Sequence, residues 1–361
     1  MCSARNGELF LRIARVRPGW PVGCFCSWGG TIEALSETGP DGSVHAMKRQ
    51  DERESVESAV SRRYAAAAQA VEPSLCCAVD YDPALLEVIP AEVIERDYGC
   101  GDPSRHVREG DVVLDLGSGS GKTCFISSQV VGASGKVLGV DANDEMLGLA
   151  RGAQSVVSAA IGYDNIQFLK GRIQDLALDL ERLRRWLVEN PINHLDDWQR
   201  AEEIIRGWRS DDPLVASESV DIVVSNCVLN LVHPDDRRSL FAELGRVLKK
   251  GGRAVISDIV ASADVPKHLQ QDLSLWSGCV SGAFREDRFC EAFSAAGLVQ
   301  VEVLHRQEEP WTVVEGIEFR SVTVRAYRPL DSGDGLVPAP DGFTILGTDP
   351  ASCCQPGGEC C

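Results

Sequence analysis

Short β-branched runs that alternate with helical stretches, and a glycine-rich turn that follows the first run directly after an acidic residue, predict an α/β fold built on a doubly wound parallel sheet. The runs are Val112-Val113-Leu114-Asp115, Val137-Leu138-Gly139-Val140-Asp141, Ile166-Gln167-Phe168-Leu169, Val220 to Ser225 and Arg253 to Asp258. Each is too short for a buried helix and rich in Val and Ile, which suits a sheet covered on both faces.

Taken from the start, residues 1–50 form a flexible extension. The first 46 mix Arg5, Arg12, Arg15 and Arg17 with Gly, Pro and Trp and show no sustained period. An organellar transit peptide, translation upstream of a start at Met47, and a plain extension all fit that composition. Residues 51–109 make an N-terminal helix and cysteine-loop segment. Glu52 to Ala70 are good helix formers stopped by Pro73, Cys76 and Cys77 fall in the loop that follows, and a short helix spans about Pro90 to Arg96. Tyr98-Gly99-Cys100-Gly101-Asp102-Pro103 then enforces a tight turn around one thiol. Residues 110–262 hold the sheet, interrupted at 176–219 by two tryptophan-bearing helical patterns that read as an inserted helical hairpin. Residues 263–328 continue as a largely helical stretch, Lys267 to Ala296, and two closing strands, Leu298 to Leu304 and Arg320 to Tyr327. Residues 329–361 form a flexible, cysteine-containing tail.

The net charge of −18 argues against a nucleic-acid partner, which needs a concentrated basic face. The most apolar run, Val220 to Val232, is short and contains Asp221 and Asn226, so no membrane span is expected. With 44% hydrophobic and 25% charged residues, the composition is that of a soluble, cytoplasmic globular protein, subject to any targeting by residues 1–46. Fourteen cysteines without a secretory signal point to soft-ion or redox chemistry rather than to structural disulfides. No Cys-x-x-Cys pair occurs, so a zinc ribbon is excluded.

The turn Asp115-Leu116-Gly117-Ser118-Gly119-Ser120-Gly121 carries the strongest local signal. A nucleotide P-loop is ruled out because Leu116 stands where its first glycine belongs, although Gly121-Lys122-Thr123 matches its second half. The G-x-G-x-G spacing also differs from the G-x-G-x-x-G of dinucleotide sites. A strand ending in Asp115 suits S-adenosylmethionine (SAM), whose ammonium needs an acceptor and whose carboxylate needs backbone donors. Asp141, ending the second strand, is placed to accept both ribose hydroxyls. Gly117, Ser118, Gly119, Gly121, Ile173 and Asn226 complete the expected cofactor wall. Asp175 reads equally as a helix N-terminal residue.

In an open sheet of this kind the ligand crevice lies at the carboxyl ends of the strands, which puts Cys227 beside the donor. From position alone, Cys227 is as readily a small buried hydrophobe. Tyr98-Gly99-Cys100-Gly101, the segment Leu114 to Gly121, Val224-Ser225-Asn226-Cys227-Val228-Leu229-Asn230-Leu231-Val232 and Leu275-Trp276-Ser277-Gly278-Cys279 with Gly282-Ala283 together resemble the arsenite methyltransferase family over roughly Tyr64 to Tyr327. The resemblance implies a Rossmann-like SAM methyltransferase fold and the methylation of trivalent arsenic, a detoxification reaction. It implies Cys227 and Cys279 as arsenic ligands, Cys100 as a third, and Cys76 or Cys77 as the partner of Cys100 in transient binding or a disulfide. It further implies a thioredoxin or glutathione reductant, residues 110–262 as the SAM-binding core and residues 263–328 as an arsenic-binding lid with the closing strands; a monomer is expected. The insertion at 176–219 is longer, and the region after Tyr327 shorter, than the family's pattern.

Arsenic(III) is soft and prefers thiolates, so a set of sulfurs displaces its hydroxides. The lone pair that remains is nucleophilic without a general base, and the protein has only to orient donor and acceptor. Cys124 and Cys290 read as core residues, His233 as a helix-start residue, and the tail cysteines as either metalloid-capturing or merely exposed thiols. Two other functions compete: a SAM methyltransferase for another small acceptor such as a quinone, and a non-catalytic metalloid-binding protein. Selenium or another soft element is a further candidate acceptor.

Overall fold

The computed structural model describes residues 43–75 and 79–330, with side chains from Val56 onward. Residues 1–42 of the expected extension, the Cys76 and Cys77 pair and the cysteine tail therefore lie outside the described residues, whereas residues 43–50, expected to belong to that extension, are the first turns of a helix. Helix α1 (Ser43–Gln69) is followed by the short helices α2 (Pro83–Leu86) and α3 (Ala91–Glu95). The alternating core runs β1 (Val112–Leu116), α4 (Lys122–Val131), β2 (Lys136–Asp141), α5 (Asp144–Ile161) and β3 (Ile166–Lys170). The expected hairpin follows as α6 (Leu180–Glu189) and α7 (Leu195–Asp211). The chain then re-enters the sheet through β4 (Val220–Asn226), α8 (Arg237–Val247) and β5 (Leu248–Ala261). Helices α9 (Lys267–Gln270) and α10 (Leu273–Ser277), the two-residue strand β6 (Phe284–Arg285) and α11 (Glu286–Ala295) lead to the closing strands β7 (Val299–Arg306), β8 (Thr312–Val314) and β9 (Ile317–Tyr327).

The sheet order is β3-β2-β1-β4-β5-β9-β7, with β6 beside β5 and β8 beside β9. Strands β1 to β5 pair in parallel, whereas β9 runs antiparallel to both β5 and β7. The α/β doubly wound architecture read from the sequence is therefore present, and the winding reverses between β1 and β4. A crevice opens at such a point because the connections leave the two strands toward opposite faces.

Apolar side chains alternate across the central strands. Leu114, Leu116 and Val223 pack with α8 and α11 on one face. Val113, Ile222 and Val224 pack with α4 and α5 on the other. Both faces are closed, so ligands are left only the strand ends. The inserted hairpin is held by an edge-to-face contact of Trp186 and Trp208, 6.2 Å between ring centroids, and by the Arg182 guanidinium over the Trp208 ring at 4.4 Å. Among the described residues no helix is long and apolar enough to cross a membrane.

Candidate active site

The turn after β1 is folded onto its neighbours. Gly117 and Ser118 donate their N–H groups to the Val140 carbonyl at 2.8 and 3.1 Å, and Gly119 donates to Asp141 Oδ2 at 2.8 Å. These donors, expected to face the SAM carboxylate, instead tie the turn to β2. Gly121 has a different task from its neighbours. Its φ of 90° is left-handed, and a Cβ there would stand 2.9 Å from the Phe168 ring and 3.0 Å from that of Phe125. Gly121 thus lets α4 start against the core, and it does not line the cavity. Lys122, the residue that imitated a P-loop, is buried with its ammonium 2.5 Å from Asp97 Oδ2 and 3.8 Å from the Tyr81 ring centroid.

A cavity of about 350 Å³ lies over the ends of β1, β2 and β4. Asp115, Gly117, Ser118, Gly119, Asp141, Ile173 and Asn226 all line it, as expected, and Cys227 sits in the same wall. Asp115 is 2% exposed and accepts a hydrogen bond from the Cys124 thiol at 3.2 Å. Burial, only partly offset by that thiol, pushes its carboxyl up to about 7. The buried Ser118 hydroxyl has no hydrogen-bond partner among the described residues. A cavity wall with an acid short of countercharge and an orphaned hydroxyl fits the ammonium and polar groups of SAM. Burial also raises Asp141, against the N–H groups of Asn143, Gly119 and Ala142 that favour its charged form. Asp175 belongs elsewhere: it pairs with Arg209 of the hairpin at 2.6 Å.

The three expected thiols converge. Cys100, Cys227 and Cys279 are each about 95% buried in one apolar cluster with Ile259, Val265, Val280 and Phe319. Cys279 Sγ lies 3.2 Å from the Cys227 carbonyl oxygen. Cys100 is joined to Cys227 by a disulfide, with the two Cα atoms 5.8 Å apart. This differs from the expected pairing of Cys100 with Cys76 or Cys77, because the turn around Cys100 is fastened to the end of β4. Cys124 and Cys290 are buried in the two main cores, as their settings suggested. His233 starts a short 3-10 turn, accepts from the Asp235 N–H at 3.3 Å, and stacks on Trp276.

A methyltransferase-domain family model matches residues 108–297. The arsenite methyltransferase of Aquipseudomonas alcaligenes is 31% identical over 285 residues, which cover 76% of this chain and 70% of that protein. That of Halobacterium salinarum is 35% identical over 66% of this chain and 52% of its own length. The crystal structure of an arsenic(III) S-adenosylmethionine methyltransferase from Chlamydomonas reinhardtii shares 27% identity at a TM-score of 0.54, covering 70% of this chain and 74% of that one. The chain belongs to the arsenite methyltransferase family. It spans from 44 to 70% of the length of the arsenite methyltransferases it matches.

In this family member several site residues escaped the sequence reading. Helix α1 bridges the cofactor wall and the segment bearing Cys279. The Ser61 carbonyl accepts from Asn143 Nδ2 at 3.0 Å, and Arg63 donates to the Ser274 carbonyl at 2.8 Å and to Ser277 Oγ at 3.0 Å. Tyr64 lines the cavity with its hydroxyl 4.0 Å from Cys279 Sγ. Its phenol is pushed up first by burial and then by Cys279. Beneath the thiols, Asp258 accepts from the N–H groups of Leu229 at 2.9 Å and Ile259 at 2.8 Å and from Asn230 Nδ2 at 2.8 Å. Its burial pushes the carboxyl up to about 7. Ser61, Arg63, Tyr64 and Asp258 carried no motif. Helix propensity was the only visible signal at Tyr64-Ala65-Ala66-Ala67-Ala68, and Asp258 read as the end of a strand.

Proposed function

We propose that the chain methylates thiol-bound trivalent arsenic, with SAM as the donor and an external thiol as the reductant. The carrying observation is the convergence of Cys100, Cys227 and Cys279 in one apolar cluster, with Cys227 also in the wall of the cavity that contains Asp115 and Asp141. A methyltransferase for a quinone or other carbon or oxygen acceptor has no use for three gathered thiols, and a pure metalloid-binding protein has none for the acidic cavity.

Bound SAM supplies an electrophilic methyl group. In the same cavity Asp115 would take its ammonium and Asp141 its ribose hydroxyls, while Ile173 would add apolar wall. The Cys100–Cys227 disulfide must first open. Two equivalents of an external thiol such as glutathione, or one thioredoxin dithiol, give the two cysteine thiols and an external disulfide. The freed sulfurs and Cys279 then replace the hydroxides of arsenous acid, each thiol proton leaving with a hydroxide as water. Soft thiolates hold the arsenic without neutralising its lone pair. The apolar surroundings of Ile259, Val265 and Phe319 exclude water from the reacting centre. Orientation of this kind is worth roughly 7–11 kcal/mol in well-aligned cases.

The test incubates the purified protein with SAM, arsenite and a thiol reductant, then separates and quantifies the arsenic species. Methylated arsenic should appear, and folded Cys227→Ser and Cys279→Ser proteins should lose turnover of both arsenite and methylarsenite. A methylarsenic(III) substrate still has two positions to fill and needs both sulfurs, whereas Cys100→Ser should retain some activity toward it. Robust arsenite methylation by folded Cys227→Ser would return the chain to methyltransferases of other small acceptors.

A further inference from the structure

Asn226, the last residue of β4, lines the cofactor cavity, yet its amide is spent on the protein itself. Oδ1 accepts from the N–H groups of Cys100 at 2.8 Å and Gly101 at 3.0 Å. Nδ2 donates to the Gly101 carbonyl at 2.6 Å and to the Tyr81 hydroxyl at 3.1 Å. The Tyr81 hydroxyl in turn donates to the same carbonyl at 2.9 Å. Two accepted and two donated bonds are the full capacity of a carboxamide. None is left for a cofactor.

The sequence around Cys100 is built to admit this side chain. A Cβ on Gly99 would lie 2.1 Å from Asn226 Nδ2 and 2.5 Å from its Cγ, so only glycine lets the amide reach the turn. The next glycine answers a similar constraint: a Cβ on Gly101 would lie 2.6 Å from Ser257 Oγ on β5. Tyr98-Gly99-Cys100-Gly101 and Asn226-Cys227 are thus two halves of one device. Because Asn226 immediately precedes Cys227, the bonds that fix the Cys100 turn also fix its distance from Cys227.

We infer that Asn226 is a positioning residue that sets the pairing equilibrium of Cys100 with Cys227. Pairing forms one S–S bond, and the two thiol protons and two electrons pass to an external disulfide such as oxidised glutathione, which leaves as two glutathione thiols. With the turn unfastened, the two sulfurs spend less time within bonding distance, and the dithiol gains at the expense of the disulfide. The role deepens the proposed reading and rests on it only for the use of these thiols in turnover. Neither SAM nor arsenic enters the measurement, so its failure is distinct from failure of the arsenic assignment.

The full-length protein is equilibrated in glutathione redox buffers, quenched with one alkylating reagent, reduced, and labelled with a second. Mass spectrometry of the peptides bearing Cys100 and Cys227 then reads the fraction paired, with circular dichroism confirming the fold. Asn226→Ala should lower the equilibrium constant for pairing by about tenfold or more, the effect of losing a few part-buried hydrogen bonds. Asn226→Asp keeps both accepted bonds but turns a carboxylate oxygen toward the Gly101 carbonyl, so its constant should also fall below that of the unsubstituted protein. Gly99→Ala should produce the same loss by displacing the Asn226 side chain. In the Asn226→Ala background, where the obstructed amide is gone, the added Gly99→Ala change should alter the constant by less than about twofold. An unchanged constant in folded Asn226→Ala, or fully additive Gly99 and Asn226 effects, would overturn the inference.

Discussion

The buried carboxyl of Asp115, if it receives the SAM ammonium, should make SAM binding a proton-releasing event. Without ligand, its burial holds the group at about 7, against an ordinary value of 3.8. A ligand ammonium brought against it favours the carboxylate and returns the group to the normal range. Below about 7 the protein must give up a proton to bind, so affinity should climb with pH and level off above that value. Between about pH 5.5 and about pH 7.5 the expected gain is roughly 25-fold, or about 2 kcal/mol. The ligand-free protein should respond in the opposite sense. A carboxyl raised on folding stabilises the folded state below its unfolded value, and that contribution is lost as pH rises from about 4 to about 7, by roughly 4 kcal/mol at most. Calorimetry of SAM binding in buffers of different ionisation enthalpy measures the released proton directly, and a pH series of affinities measures its consequence. Asp115→Asn should bind SAM more weakly and with no such pH dependence over this range. An affinity in the unsubstituted protein that is flat across the range, with no buffer-dependent heat, would refute the placement of Asp115 against the ammonium.

Asp141→Ala should weaken SAM binding by about tenfold or more in calorimetry while leaving arsenite binding little changed, because it removes the acceptor for Gly119, Asn143 and Ala142 as well as the ribose contact. Gly121→Ala should cost about 1–3 kcal/mol in urea unfolding, since its φ of 90° and its two phenyl neighbours leave no room for a methyl group.

Where a physical rule acts over neighbouring residues, the sequence was legible. Runs of β-branched residues located β1 to β4 to within a residue or two, and the tryptophan-bearing periodicity located the hairpin. Strand β5 was read as starting at Arg253 but begins at Leu248, because Lys249, Lys250, Gly251 and Gly252 hide an extended segment that is tied in by the pairing of Leu248 with Val220 on β4 and by the bonds of Gly251 and Gly252 with Arg328. The three-residue β8 and two-residue β6 exist only through their partners and leave no pattern to read. In the site, Asp115, Asp141 and Cys227 were legible because strand ends define the crevice. The Cys100–Cys227 disulfide, the four bonds of Asn226 and the approach of Tyr64 to Cys279 join residues 125 or more positions apart along the chain. No local pattern encodes such pairs.

The backbone at the two central thiols bears on the choice between packing and chemistry. Cys227 and Cys279 have φ values of 61° and 62°, in the left-handed region that residues other than glycine adopt at a cost of about 1 kcal/mol or more. Surrounding bonds impose that shape. The Cys227 N–H donates to the Ser257 carbonyl at 2.8 Å, and the Cys279 N–H donates to that of Trp276 at 3.0 Å. Asn230 Nδ2, which donates to Asp258 Oδ1 at 2.8 Å, also reaches the Cys279 carbonyl at 3.4 Å. A side chain needed only to fill space would leave such positions to glycine, with the gap closed by a larger neighbour such as Val280 or Val265. Both positions instead carry a cysteine on a strained backbone, Cys227 in the cavity wall and Cys279 with its Sγ 3.2 Å from the Cys227 carbonyl oxygen. That arrangement favours sulfur retained for its reactivity, and it places the strain where two segments, at the end of β4 and after α10, come together.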